Sequence, residues 1–462
     1  MVFSSLIFIC FFLPIVLITY NISKNITYKN IVLVIASLIF YAWGEPVWVV
    51  LLIISSLVDY INGLIIGKFR GKIGAKLALC ASLVINLGIL CMFKYSGFIV
   101  SNINAVSGLN LHIREFSLPI GISFYTFQTL SYTIDVYKDR VGVQTSFLRF
   151  LTYVSMFPQL VAGPIVRYKD ISTELRKRSV GAKDYADGAR RFVCGLSKKV
   201  IIANSAGEGA QALFSAIHPT VLSSWLGVAL YTLQIYFDFS GYSDMAIGLG
   251  RMFGFHFKEN FEHPYVSRNI TEFWRRWHIS LSSFFRDYVY IPLGGNRKHH
   301  ILNIMIVWAL TGLWHGASWN FVLWGLFYGI VLIIEKKFLK GILQKIPFPI
   351  CHIYTMFIVC MGWTLFYFTD LGELYSCIRS MFGINTSMYD LVSVSNLCKY
   401  AWVLILGFFA GLPWGKMLYR HFIDTRPVLA SIVEPVVIIS GFAICIIMLV
   451  GQSYNPFLYF RF

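Results

Sequence analysis

Two histidines stand where histidine is costly to place. His315 lies in the run Thr311-Gly-Leu-Trp-His-Gly-Ala-Ser-Trp-Asn320, and apolar sequence continues from there to Ile334. An ionisable side chain at membrane depth is a functional hypothesis by default. Gly312 and Gly316 flank it, and glycine lets backbone bend and approach closely, so a break in the helix is expected here. Broken helices persist inside a membrane where they line a protein-walled or wet cavity. A neutral imidazole, with a pKa of about 6.5, takes up protons near neutral pH. We therefore read catalysis or proton transfer at His315, against the plainer alternative of a histidine bonded to a neighbouring helix.

His278 ends the sequence Phe273-Trp-Arg-Arg-Trp-His278. Its neighbours Arg275 and Arg276 have two readings. They bind lipid headgroups, or they clamp the phosphates of a cofactor by bidentate pairing. Other histidines have weaker company. His256 and His263 are seven apart, but no Cys or carboxylate cluster joins them, so no metal centre is expected. The nine Cys are scattered and read as small apolar packing residues. Buried polar residues also occur in Leu118–Asp135, where Ser123, Thr126, Gln128, Ser131, Tyr132 and Asp135 need internal partners. Interhelical bonding is one account of them, and a polar tunnel wall is the other. Asp238 and Asp244 in Tyr236–Asp244 raise the same question. Gln128, Asp238, Trp314 and Asn320 complete the candidate binding residues.

These side chains must be held by membrane helices. The chain has 462 residues, of which 57% are hydrophobic and only 13% charged, whereas a soluble domain is about a quarter charged. Mean hydropathy is +0.67. A spanning helix needs about 20 apolar residues. Candidate spans are 2–19, 31–43, 47–67, 76–95, 118–136, 149–166, 191–214, 222–250, 301–313, 320–335, 350–368, 399–415 and 428–450. Roughly ten to twelve crossings with re-entrant pieces are expected. The first span lacks a basic leader and a small-residue cleavage site, and reads as a retained helix. Residues 256–300 mix Arg268, Arg275, Arg276, Arg286 and Asp287 with many aromatics. That composition predicts helices at the interface or dipping into the protein.

Net charge is +17, but the basic residues cluster beside apolar spans, as orientation signals do. No basic domain stands apart, so nucleic acid is not an expected partner; the bilayer is. Lys24 and Lys29, Lys68 to Lys76, the stretch 167–199, and Lys336, Lys337 and Lys340 read as cytoplasmic. Both termini then fall outside the cell membrane. No repeat or linker divides the chain. The expected organisation is one integral domain over 1–462: N-terminal helices 1–115, a catalytic core 116–345 holding His278 and His315, and C-terminal helices with an outer tail 346–462.

Trp314-His315-Gly316, with Phe273-Trp-Arg-Arg-Trp-His278 upstream, resembles the membrane-bound O-acyltransferase family. The branch resembled is the bacterial alginate and peptidoglycan O-acetyltransferase membrane subunit. The likeness runs through Phe40–Trp43, Leu118–Tyr137, Phe157–Arg167, Asp238–Gly250 and Asp287–Gly295 to the C-terminus. Phe284 departs from it, where that branch has Trp. The resemblance implies an all-α polytopic fold with helices around a central funnel or tunnel meeting at His315, and His278 as the second active-site position. It implies acetyl-coenzyme A as a cytoplasmic donor substrate, with no tightly bound cofactor. It also implies an SGNH-type partner outside the cell (inner) membrane that completes transfer to a polysaccharide.

The chain ends Asn455-Pro-Phe-Leu-Tyr-Phe-Arg-Phe462; the resemblance implies a similar terminal motif in this branch and on a small partner of the teichoic acid D-alanyl transferase cousin, where the tyrosine is proposed as an acyl carrier. Tyr459 is accordingly a candidate covalent intermediate, which would split one hard step into two; an aromatic interface anchor is the alternative. In the expected chemistry His315 is the general base, and His278 or an adjacent donor polarises the thioester carbonyl. Three rivals remain at this point: a glycan or lipid transporter, an acyltransferase acting on cytoplasmic or lipid substrates, and D-alanyl transfer to teichoic acid from a carrier protein. A transporter would show paired repeats and midplane ion sites, which are not evident.

Overall fold

Backbone polar groups inside a bilayer have no water to bond, so apolar spans close their bonds internally as helices. The computed structural model describes residues 1–112, 117–161, 163–451 and 458. Among these the regular structure is helical throughout. Five helices are long and apolar enough to cross a membrane: Val49–Lys68, Ile73–Ser107, Phe348–Tyr367, Leu391–Gly411 and Pro427–Gly451. Phe8–Asn21, Ile26–Ala42 and His300–His315 are shorter apolar helices. The protein is an integral membrane protein.

Contacts divide the chain into two units, Met1–Phe192 with Ser243–Lys258, and Val193–Tyr242 with Glu259–Phe462. These boundaries follow packing, whereas the expected divisions at 115 and 345 followed the order of segments along the chain.

The first unit spends its polar residues on its own cohesion. Asp59, fully buried on Val49–Lys68, accepts from Ser82 Oγ at 2.6 Å and from Asn86 Nδ2 at 2.8 Å. Ser82 also meets Thr133 of the Ile122–Tyr137 helix. In that helix Thr129 and Ser131 bond back to the carbonyls of Thr126 and Gln128, and Asp135 pairs with Arg140. Interhelical and local bonding therefore accounts for most of its polarity. The Gln128 side-chain amide is buried here without a hydrogen-bond partner among the described residues.

The segment 149–166, expected to span, is not one continuous helix. It forms Phe147–Ser155 and Phe157–Leu160, with a bend at Met156 and non-helical backbone beyond Leu160. Every described residue from Phe150 to Val161 is buried, so the run is apolar because it faces protein, not lipid. Pro158 fits the first turn of the second helix and cannot continue the one before it.

The second unit is built on aromatic packing. Trp324, Trp363, Tyr328, Phe366, Trp274 and Trp277 belong to one buried cluster. His300–His315 and Trp319–Ile334 form a helical hairpin against it. Within 256–300 the helices Ile270–Arg276 and Ile279–Phe285 are short, and Phe273, Trp274 and Trp277 are buried. This stretch dips into the protein. Its first helix is anchored from below, where the buried Glu335 carboxylate accepts from the backbone N–H groups of Ile270 at 2.7 Å and Thr271 at 2.9 Å. Those donors are otherwise unsatisfied at a helix start.

Candidate active site

His315 is the last residue of its helix. Gly316 follows in extended backbone, and the next helix begins at Trp319. The expected break is therefore present, but it falls after His315, and Gly312 lies inside the helix. Gly312 has a different task. A Cβ there would lie 2.2 Å from the Phe321 carbonyl oxygen, and one on Gly325 would lie 2.3 Å from that of Trp308. The two glycines are where the hairpin helices touch, which holds His315 against the aromatic cluster. Its ring is 5.0 Å from that of Trp324 and 5.2 Å from Phe366, each nearly perpendicular.

His278 caps the Ile279–Phe285 helix in the left-handed region, with φ at 44°. A side chain other than glycine is strained there, although His is among the residues that tolerate it. Asn260, buried and unremarked in the sequence, holds the strained turn. Its Oδ1 accepts from Ser280 N at 3.1 Å and Ser280 Oγ at 2.8 Å, and its backbone carbonyl accepts from Ile279 N at 2.9 Å. His278 Nδ1 lies 3.2 Å from the same Oδ1. An oxygen that accepts a backbone N–H cannot be the amide nitrogen, so Nδ1 is the donor. His278 is thereby held as the tautomer with its proton on Nδ1. Burial, and secondarily the charge His315 would carry, keep its pKa well below the ordinary imidazole value. It stays neutral.

Trp314 is packed beside both histidines, 5.8 Å from the His278 ring and 5.0 Å from that of His315. The two histidines also share a cavity of about 260 Å³, whose wall includes Trp274, Arg275, Ser282, Arg286 and Tyr290. Arg275 thus lines the cavity. Arg276 does not; it pairs with Glu272 at 2.9 Å and donates to the Glu262 carbonyl. Arg286 also lines the cavity, paired with Asp287 at 2.7 Å, a partner that raises its pKa. Tyr290 at the rim is tied through Asn296 Oδ1 to Lys336 Nζ, so the cavity adjoins the Lys336-Lys337 cluster. The buried Asn320 amide donates to the Phe366 carbonyl at 3.3 Å and braces the break.

A second, smaller cavity of about 20 Å³ is lined by His315 and Trp277 as well, with Asp238, Trp324, Trp363, Phe366 and Leu458. His315 and Trp277 border both spaces. Asp238 is bound within the protein, pairing with Lys199 Nζ at 2.6 Å and accepting from Leu458 N at 2.9 Å. Tyr459 lies outside the described residues. Gln128 belongs to the other unit. Sequence reasoning thus missed Asn260, Arg286, Tyr290 and Lys199. Arg286 alone carried a signal, as a cation among aromatics.

The chain belongs to the membrane-bound O-acyltransferase family, whose model matches residues 136–378, a span that includes both histidines. It is a membrane-embedded acyltransferase. It is 37% identical over 504 aligned residues to the probable alginate O-acetylase of Azotobacter vinelandii, covering 100% of both chains. To the peptidoglycan O-acetyltransferase of Helicobacter pylori it is 33% identical, over 87% of this chain and 82% of the relative. To the teichoic acid D-alanyltransferase of Bacillus subtilis the identity is 29%, over 54% and 68%.

Proposed function

We propose that this enzyme takes the acetyl group of cytoplasmic acetyl-coenzyme A and passes it through the membrane for O-acetylation of an extracytoplasmic polysaccharide, alginate-like or peptidoglycan. The observation that carries the reading is that His315 borders two cavities. A base at such a junction can serve a donor on one side and an acceptor on the other.

The larger cavity suits the donor. It adjoins Lys336 and Lys337, which the positive-inside rule assigns to the cytoplasm. Its volume is below the usual range of about 300–1,000 Å³ for small-molecule sites, so the narrow thioester arm fits and the nucleotide stays at the rim. Arg275 and Arg286 offer charge to phosphates there. His315 is the last of 16 helical residues, so its Cα lies about 22 Å along the helix from His300, close to the Lys336 end. On this reading the acyl group meets His315 about one helix length from that basic end.

His315 takes the proton of an attacking hydroxyl as its oxygen bonds to the thioester carbonyl carbon. The tetrahedral intermediate collapses, the C–S bond breaks, and the departing thiolate receives the proton from His315. Tyr459 is our candidate for that hydroxyl. The resulting ester then gives its acetyl group to a sugar hydroxyl, by the same exchange, with an SGNH-type partner outside. His278, neutral and protonated at Nδ1, presents an accepting Nε2 and does not stabilise an oxyanion. The adjacent donor is the indole N–H of Trp274, which lines the cavity and has no partner among the described residues. A preorganised donor of this kind contributes about 3 kcal/mol in other acyl-transfer sites.

Inverted membrane vesicles supplied with labelled acetyl-coenzyme A test the proposal. Release of free coenzyme A is expected, with loss of about 10²–10⁴-fold in His315→Ala. Unchanged transfer in that variant would remove His315 from the chemistry. Peptide masses of the labelled protein test Tyr459: no acetylated C-terminal peptide, with Tyr459→Phe still active, would exclude the carrier. D-alanyl transfer is the less supported alternative, since that relative matches little more than half the chain.

A further inference from the structure

Asp238 and Lys199 form an ion pair with side chains only 2% and 4% exposed. Lys199 sits in a π-helical turn, Lys198–Ala203, and Asp238 on the Val221–Met252 helix. Two charges in so dry a place are held at the cost of their hydration, and a well-packed apolar pair would often serve stability as well or better. The pair therefore calls for another explanation. The carboxylate supplies one: Oδ1 faces Lys199, and Oδ2 accepts the backbone N–H of Leu458, which is 220 residues away in sequence. Leu458 is itself buried, and with Asp238 and His315 it lines the smaller cavity. The remaining wall is apolar, formed by Ile235, Phe239, Trp277 and their neighbours. Without the Leu458 N–H, Oδ2 would face that wall with an unmet hydrogen bond.

We propose that the Lys199–Asp238 pair is a latch for the C-terminal segment, holding it by its backbone at the His315 chamber. Because the bond is made to an N–H and not to a side chain, it fixes Leu458 by its backbone. Tyr459 follows Leu458 in the chain, so the latch sets how far that hydroxyl can reach. That consequence rests on the proposed function, whereas the latch does not. In the latch Lys199 and Asp238 act as positioning residues.

Hydrogen–deuterium exchange of the full-length protein, read by mass spectrometry, tests this directly. In the wild type the Leu458 amide exchanges slowly. The variant Lys199→Met/Asp238→Asn carries no charge but keeps an accepting oxygen, and retains the protection. Lys199→Met/Asp238→Leu fills the space without an acceptor, and the amide exchanges at least tenfold faster while peptides of the membrane helices are unchanged. Leu458→Pro removes the donor from the other side, together with the leucine side chain, and lies outside the membrane helices; the amides after it exchange faster to a similar extent. His315→Ala, inactive under the proposed function, keeps the wild-type pattern, so the latch is read separately from catalysis. Wild-type exchange rates in both the Leu variant and Leu458→Pro would overturn the latch. If exchange changes and acetyl transfer does not, the latch stands and the segment is removed from the reaction.

Discussion

The strained backbone of His278 and its Asn260 partner are the most specific residue-scale feature of the site. Asn260→Ala removes the acceptor for Nδ1–H and frees the tautomer. The expected result is a roughly tenfold loss of kcat, equivalent to one buried hydrogen bond of about 1.4 kcal/mol, with KM little changed. Asn260→Asp keeps an acceptor but adds a negative charge, which favours imidazolium. Its pH–rate profile should lose activity at a higher pH on the acid side than the wild type. His278 also bears on stability. Its folded pKa is depressed, so between that value and the unfolded value of about 6.5 the unfolded chain binds a proton that the native one does not. Stability from this group is intact above about pH 6.5 and falls as pH drops below it, by at most about 1.4 kcal/mol per unit. His278→Asn, which tolerates the left-handed turn and does not titrate, should flatten that decline in thermal melts between pH 7 and 5. An unaltered slope would remove His278 as its source.

At the scale of elements, the hairpin carrying His315 depends on close contact of its two helices. Gly325→Ala puts a methyl into the Trp308 carbonyl, and Gly312→Ala one into that of Phe321. Each should cost about 1–3 kcal/mol by overpacking and should displace His315, lowering acetyl transfer together with melting temperature. Gly415→Ala, on the Trp414–Thr425 helix with no atom within 4 Å, is the control and should be near neutral. The glycines around His315 were legible as special, but the sequence pattern suggested bending for both. Only the packing separates Gly316, at the break, from Gly312, at the crossing. The segment 149–166 shows the same limit. Apolar composition does not tell lipid from protein as the neighbour of a side chain.

At the scale of the whole molecule, the charge pattern makes a prediction about sidedness. Cysteine introduced at Phe338, beside Lys336 and Lys337, should react with an impermeant reagent from the cytoplasmic face, and one placed after Phe462 from the opposite face. Labelling of both from the same side would overturn the two-sided route. The sequence by itself determined the class. Composition and span length require a membrane helix protein, since apolar runs of about 20 residues are too long for barrel strands and close their backbone bonds internally as helices. His315 and His278 announce themselves because a histidine among tryptophans is expensive to keep. What the sequence could not rank was the polar remainder. Arg275 and Arg276 are neighbours in the chain, yet one lines the cavity and the other is spent on Glu272. Asp238 read as a candidate binding carboxylate; it lines the smaller cavity and is also paired with Lys199 and bonded to the backbone N–H of Leu458. Only tertiary structure decides such cases, because the function of a polar group is set by its partner, and these partners lie from a few to more than two hundred residues away.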